Sequence, residues 1–368
     1  MSQAPHSKSP AALGFRMPAE WEPHAATWLS WPHKASSWPG ILARIPRYWV
    51  EMARALTPGE RVEILVNDAA PAAQVRAALA VAGVPLDRVG LHEVPTDDAW
   101  MRDHGPTFVT RADGYALIDW RYNAWGGKYP PWDQDDRVPV ALAVRLGAAR
   151  FEPGVVLEGG SIDVDGLGTL LTTEQCLLNP NRNPGMDRAG IERALGDFLG
   201  VRRVLWLGDG IVGDDTDGHV DDITRFVAPA TVVTVVEEDP RDANHAPLLD
   251  NLRRLQGMRD AAERPLHVVP LPMPTPIEHE GQRLPASYAN FYIGNAAVLV
   301  PVFGCPNDAR AVATLAALFP TRRIVALDAT DLVRGLGAFH CVTQQQPAAA
   351  GPAALTATAA DATPPRRA

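Results

Sequence analysis

Residues 297–327, AVLVPVFGCPNDARAVATLAALFPTRRIVAL, decide how the rest of the chain is read. A strand-like apolar run, Ala297 to Val302, leads into a helical pattern over Asp308 to Phe319, and a β-rich run, Arg323 to Leu327, follows directly. Moving outward, the order of helix then strand recurs. Pro71 to Ala82, with its proline where a first helical turn tolerates one, precedes Val89 to Val94. Val138 to Leu146 precedes Ala149 to Phe151, Asp187 to Leu199 precedes Arg203 to Leu207, and Ala246 to Gln256 precedes Leu266 to Leu271. The five helices start about 50 to 67 residues apart, a spacing typical of repeated supersecondary units that share one core. Strand-like runs fill the intervals, among them Gly114 to Trp120, Thr169 to Thr173, and Ile223 to Val227 with Thr231 to Val236. The expectation is an α/β chain with one domain of five modules over 15–346, plus an extra helix near Ile41 to Leu56. Two ordinary α/β domains are the alternative, against which stands the lack of a Pro/Gly/Ser linker in the middle of the chain. Residues 1–14 and 347–368, the latter an Ala/Pro/Thr tract, carry no apolar periodicity and are expected to be disordered tails.

Composition narrows the function classes. Of 368 residues, 46% are hydrophobic and 21% charged, as in ordinary globular proteins. No apolar run has the length of a membrane span, and Met1 to Arg16 lacks the apolar segment of a secretory signal, so a cytoplasmic location is expected. A net charge of −9 argues against nucleic-acid binding and leaves a cationic ligand open. Three cysteines without a CxxC, Cys176, Cys305 and Cys341, suggest neither a disulfide framework nor a thiolate zinc site.

Four segments at strand ends, beside glycines, gather the chemically interesting residues: 100–106, 157–161, 215–221 and 335–341. In an extended backbone His219 and Asp221 project to one side and present an imidazole and a carboxylate to one space. A structural hydrogen bond, or a metal held by His219, Asp221 and Asp222, is the competing reading of that pair. Cys341 follows a Gly-containing turn, and by the same strand rule the adjacent His340 points away from it, so a base must come from elsewhere. Cys176 and Cys305 read as packing thiols. Asp103 reads as a pocket carboxylate, a turn former or a partner of Arg102, and Glu158 as a pocket carboxylate or a cap on its Gly-Gly turn. Together, three carboxylates beside a thiol and an imidazole suit a guanidinium, which is planar, permanently charged and offers N–H donors in a fork. A thiol amidohydrolase would need the Cys/His pair but not the carboxylates.

The chain resembles the agmatine deiminase and bacterial peptidylarginine deiminase family of guanidino-modifying enzymes. The resemblance runs from about Met17 to Pro347 and rests on segments 17–24, 100–103, 123–129, 158–161, 179–184, 217–221, 287–292 and 340–345. It implies a five-bladed, pseudo-fivefold α/β propeller of ββαβ modules. It also implies Cys341 as nucleophile, His219 as general acid/base, and Asp103, Asp221 and Glu158 as the groups that bind the guanidinium or orient His219. Neither a metal nor an organic cofactor is implied. Trp100 and Trp125 are candidates to hold a substrate ammonium through cation–π contact. Agmatine is the expected substrate, giving N-carbamoylputrescine and ammonia; peptidyl-arginine, another guanidino compound, or an inactive arginine- or polyamine-binding homologue are the alternatives, and a homodimer is the expected assembly. One departure concerns the loop before Cys341, where Gly335-Leu336-Gly337-Ala338-Phe339 replaces the family's glycine run, and a side chain at positive φ there carries strain.

Overall fold

The structure, a computed structural model, describes residues 8–348. In the quoted stretch the strand occupies Ala297–Val302 and is buried over its first five residues, the helix occupies Asp308–Leu318, and the returning strand occupies Arg323–Asp328. Asp308 starts the helix by accepting the backbone N–H groups of Phe303 and Cys305 at 3.1 Å, and Ala311 and Leu315, four apart, form its fully buried seam.

The other modules repeat this plan. Strands β1 (His24–Ser30), β2 (Arg61–Val66) and β3 (Val89–Glu93) run parallel. Then come β4 (Thr107–Arg111), β5 (Gly114–Ile118) and β6 (Arg150–Phe151), followed by β7 (Asp163–Val164), β8 (Thr169–Thr173) and β9 (Arg203–Leu207). A fourth sheet holds β10 (Thr224–Ala228), β11 (Thr231–Val236) and β12 (His267–Pro272). A small hairpin, β13 (Glu278–His279) with β14 (Gln282–Arg283), precedes the last triple of β15 (Tyr292–Ile293), β16 (Ala297–Val302) and β17 (Arg323–Asp328). In each triple from β4 onward the first pair is antiparallel and the second parallel, with a helix in the crossover: Val138–Leu146, Arg188–Leu199, His245–Gly257 and Asp308–Leu318. Central strands such as β11 and β16 are buried on both faces, which is why they read as continuous apolar runs.

The first sheet departs from the plan. Its antiparallel partner is the last strand, β18 (Thr343–Pro347), which pairs with β1 from Leu29↔Thr343 to His24↔Pro347. The helix Pro46–Leu56, read as an extra, links β1 to β2 and so adds a fourth strand, while Ala69–Val81 makes the crossover to β3. Pro347 is thus the end of a strand and not the start of a tail. The expected N-terminal tail, 1–14, is also too long: residues 11–13 form a 3-10 turn, with Leu13 N donating to Ser9 O at 3.1 Å and Gly14 N to Ala11 O at 2.9 Å. Residues 1–7 and 349–368 of the two expected tails lie outside the described residues. Among the described residues no helix is long and apolar enough to cross a membrane.

Candidate active site

In each of the five larger sheets the strand that makes the antiparallel pair, β4, β7, β10, β15 or β18, is entered by a segment carrying a polar side chain of the site. Asp103 lies on a helical turn, Met101–His104, before β4; Glu158 starts the 3-10 turn Gly159–Ser161 before β7; His219 and Asp221 flank and occupy the turn Val220–Asp222 before β10. Asn290 stands two residues before β15, and Cys341 two residues before β18. The strand that closes the first sheet therefore also delivers the thiol.

Direct contacts link these entry segments into a circuit. Arg102 N donates to Cys341 O (3.1 Å), and Cys341 N to Asn290 Oδ1 (3.3 Å). Asn290 Nδ2 donates to Asp222 Oδ1 (2.9 Å) and also to Cys341 Sγ (3.0 Å). His219 Nε2 lies 3.8 Å from Glu158 Oε2, and Gly160 N donates to Asp103 Oδ1 (2.9 Å). Gly160 has no room for a side chain: a Cβ would stand 2.5 Å from His219 Nδ1, 2.9 Å from Asp103 Oδ1 and 3.0 Å from Asp221 Oδ2. Those three atoms therefore converge on one point, and Nδ1 is the imidazole edge that faces the carboxylates of the cleft.

All five expected residues meet here, but not by the expected local geometry. His219 enters a 3-10 turn at φ −55° and ψ 136°, so the alternation of a strand does not govern His219 and Asp221. Asp103 does not pair with Arg102, whose guanidinium is taken by Glu20, Gln344 and Gln345. Glu158 does not cap its turn with its side chain; Oε1 accepts from Arg182 Nε (2.7 Å) and Oε2 faces His219. The metal set of His219, Asp221 and Asp222 is not assembled: His219 groups with Glu158 and Cys176, while Asp221 and Asp222 group with Cys341.

Trp100 and Trp125 stand in an edge-to-face pair, 6.4 Å between ring centroids, in the wall of a cleft of about 360 Å³ whose lining includes Asp103 and Cys341. The left-handed backbone at Trp125 (φ 56°, ψ 43°), secured by Asn123 Oδ1 accepting from Gly126 N, aims the indole N–H at Asp103 Oδ2 (2.9 Å). Leu336 also lines the cleft and does take positive φ (72°). The glycines beside it are retained where space is shortest, since a Cβ on Gly337 would sit 2.6 Å from Trp100 and 3.1 Å from Cys341 Sγ.

Burial and neighbours set the proton inventory. Burial pushes Asp103 up to about 6; His219 opposes the shift while Asp221 and Glu158 add to it. Burial would lower His219, but Asp103, Cys176 and Glu158 outweigh it and hold the imidazole well above its usual range. Glu158 and Asp221 stay below the ordinary carboxylate value despite burial, because Arg182 and His219 favour the charge of the first and His340 that of the second. Burial, reinforced by Asp221, Asp222 and Asp103, drives the Cys341 thiol well above its ordinary value. Without a bound cation the pair at neutral pH is thus a thiol and an imidazolium.

Several residues of the site escaped sequence reasoning. Asn290 orients the thiol. His340, expected only to point away from Cys341, lies between Asp221 Oδ2 (2.6 Å) and Glu20 Oε2 (2.8 Å), and Glu20 in turn pairs with Arg225 (2.9 Å). Arg182 ties Glu158 to Thr216 O and Asp217. These residues fall in the segments that carry the family resemblance, apart from Arg225, yet their roles depend on partners far away in sequence. Cys176 packs in the core as expected, among Ile162, Leu170 and Leu177, and Sγ also shares a buried cluster with His219 and Glu158.

Comparisons with known proteins give the chain a family and relatives over nearly its full length. The family described as Porphyromonas-type peptidyl-arginine deiminase matches residues 16–347. The chain is 41% identical over 367 residues to an agmatine deiminase of Ectopseudomonas mendocina, covering 93% of this chain and 98% of that protein. It is 40% identical over 368 residues to one of Pseudomonas aeruginosa, with the same coverage. Among solved structures, an agmatine deiminase of Enterococcus faecalis superposes with a TM-score of 0.87 at 35% identity, over 94% of this chain and 99% of that one.

Proposed function

The chain belongs to the peptidyl-arginine deiminase family of the Porphyromonas type, and from that premise we propose that it is an agmatine deiminase. It would hydrolyse agmatine to N-carbamoylputrescine and ammonia, a step toward putrescine. The observation that carries the reading is a thiol, Cys341, in the lining of an acidic cleft, kept protonated by burial and, beyond that, by the carboxylates of Asp221, Asp222 and Asp103. A guanidinium entering between Asp103 and Asp221 offsets the carboxylate charges and sets a cation beside the buried sulfur, so that the thiolate is favoured and its proton leaves to solvent. Asp221 Oδ1, buried and without a partner, is free to accept its N–H groups. Cation binding and thiolate formation are then one event, which a neutral amide cannot trigger, and this favours guanidine hydrolysis over an amidohydrolase.

Cys341 Sγ then attacks the guanidinium carbon. His219, protonated at Nδ1 and backed at Nε2 by Glu158, passes a proton to the departing ammonia, leaving an S-alkylthiouronium on Cys341. The neutral imidazole next takes a proton from water as its oxygen adds to the same carbon, and the C–S bond breaks to release the urea and the thiolate. Every step uses side chains of the chain itself and needs no metal or organic cofactor. Trp100 and Trp125, beside Cys341 and Asp103, share the lining of the cleft with Asp98 and Asp215, and these four are the groups proposed to receive the ammonium four methylenes away.

A second reading has one observation in its favour: Arg334 lines the same cleft with Nε buried and unpartnered, so a guanidino compound bearing a carboxylate is the competing substrate class. Ammonia release from agmatine, free arginine and a blocked peptidyl-arginine distinguishes the two. A preference for agmatine of at least tenfold in kcat/KM is expected, and preference for either of the others overturns the assignment. The five sheets are read as the blades of a pseudo-fivefold propeller, supported by the five entry segments that meet at the site. One domain that takes in residues 11–347, a cytoplasmic location and a homodimer complete the proposal.

A further inference from the structure

The mechanism above leaves one buried nucleophile unused. Cys176, fully buried on the turn Glu174–Leu177, has its sulfur beside His219 and Glu158, and the approach of these two runs through His219 Nε2, away from the Nδ1 edge that serves the cleft. Cys176 Sγ, one ring nitrogen of His219 and one carboxylate oxygen of Glu158 all lie within 4.8 Å of one another. Two atoms in this space lack any hydrogen-bond partner: His219 Nε2 and Glu158 Oε2, both in fully buried residues. Buried polar atoms are rarely left so. The other oxygen of Glu158 is already held by Arg182, so Oε2 is committed to this space alone.

A thiol, an imidazole nitrogen and a carboxylate oxygen form a donor set for a borderline-soft divalent ion. Bonds of about 2.3 Å to sulfur and 2.0–2.2 Å to nitrogen and oxygen would require the donors to draw together by roughly an ångström, within reach of side-chain rotation. Asp103 and Asp221 close by add to the attraction for a cation. We propose that Glu158, Cys176 and His219 form an inhibitory zinc site behind the acid/base histidine. Binding displaces the thiol proton and the Nε2 proton to solvent as the S–Zn and N–Zn bonds form, so zinc binds more weakly as pH falls. An ion there replaces the proton on His219 Nε2 and fixes the ring as a ligand, so the imidazolium that hands a proton to the leaving ammonia is no longer formed.

Cys341 with Asp221 and Asp222 is a competing set of donors, so the test removes it. The full-length Cys341→Ala, Cys305→Ser protein keeps Cys176 as its one thiol, and cobalt(II) is the probe. One equivalent is expected to give a thiolate-to-cobalt charge-transfer band in the near ultraviolet, absent after a further Cys176→Ser change. X-ray absorption of the zinc-loaded Cys341→Ala, Cys305→Ser protein keeps Cys176 intact and is expected to show one sulfur at about 2.3 Å. No charge-transfer band, or a zinc shell of nitrogen and oxygen only, overturns the site. Neither readout involves turnover, so failure here is separate from failure of the deiminase reading.

Discussion

Replacing Asp103 with asparagine separates the cost of the site to the fold from its value to catalysis. In the folded chain the carboxyl is pushed up to about 6 by burial, against an ordinary value of 3.8. Holding it ionised at pH 8 therefore costs the native state about 3 kcal/mol, at 1.36 kcal/mol for each tenfold change in proton affinity. The sign follows from tighter proton binding in the folded state: the cost is present above about pH 6 and is relieved as pH falls toward 4. The Asp103→Asn protein escapes it. Against that gain, the two donors that Asp103 accepts, Gly160 N and Trp125 Nε1, meet one amide oxygen and one NH2 group. One N–H is left unpaired, at about 1–3 kcal/mol. Net stability should change by no more than about 2 kcal/mol. The guanidinium, by contrast, loses a buried anionic partner, worth about 3–5 kcal/mol, or roughly two to three and a half orders of magnitude in kcat/KM. Steady-state kinetics with agmatine and urea denaturation of the same preparation at pH 8 measure both numbers. A kcat/KM within tenfold of the parent, or a stability loss as large as the catalytic one, refutes the reasoning.

Other perturbations probe the surroundings. Asn290→Ala withdraws the N–H that points at Cys341 Sγ and should lower the single-turnover rate about 10–100-fold, as expected for a misplaced nucleophile. Arg182→Met leaves Glu158 buried without its cation and should cost about 3–5 kcal/mol in urea denaturation. Because cation binding releases the Cys341 proton, kcat should level off at lower pH than kcat/KM, which reports the free enzyme and should still climb above pH 9; coincident profiles would contradict coupled ionisation.

Much of the fold was open to sequence reading because local signals and tertiary packing agree. Val138–Leu146 ends where it was read to end, since Gly147 at φ 60° supplies the left-handed cap. Thr169–Thr173 and Thr231–Val236 coincide with their apolar runs because both are buried central strands. Pairing of β1 with β18 was beyond such reasoning: it joins residues more than 300 positions apart through Trp28 and Gln344, and no local pattern encodes it. The same limit applies to the site. Asp103, Glu158, His219, Asp221 and Cys341 could be named from residue type and glycine neighbours, but their supports could not. Asn290, Glu20 and Arg182 acquire meaning only through the thiol, His340 and Glu158 that they touch. For the same reason only the packing role of Cys176 could be read, because Glu158 and His219 approach it from two other segments.

The claim on which all else depends is a covalent bond between Cys341 and the substrate carbon. Rapid mixing with agmatine, acid quench within the first turnover and mass spectrometry of the digested protein test it directly. The peptide containing Cys341 should carry the mass of agmatine less ammonia, the adduct should decay as N-carbamoylputrescine appears, and Cys341→Ala should show neither adduct nor turnover. An unmodified Cys341 peptide during turnover, or ammonia release by Cys341→Ala, would contradict the account.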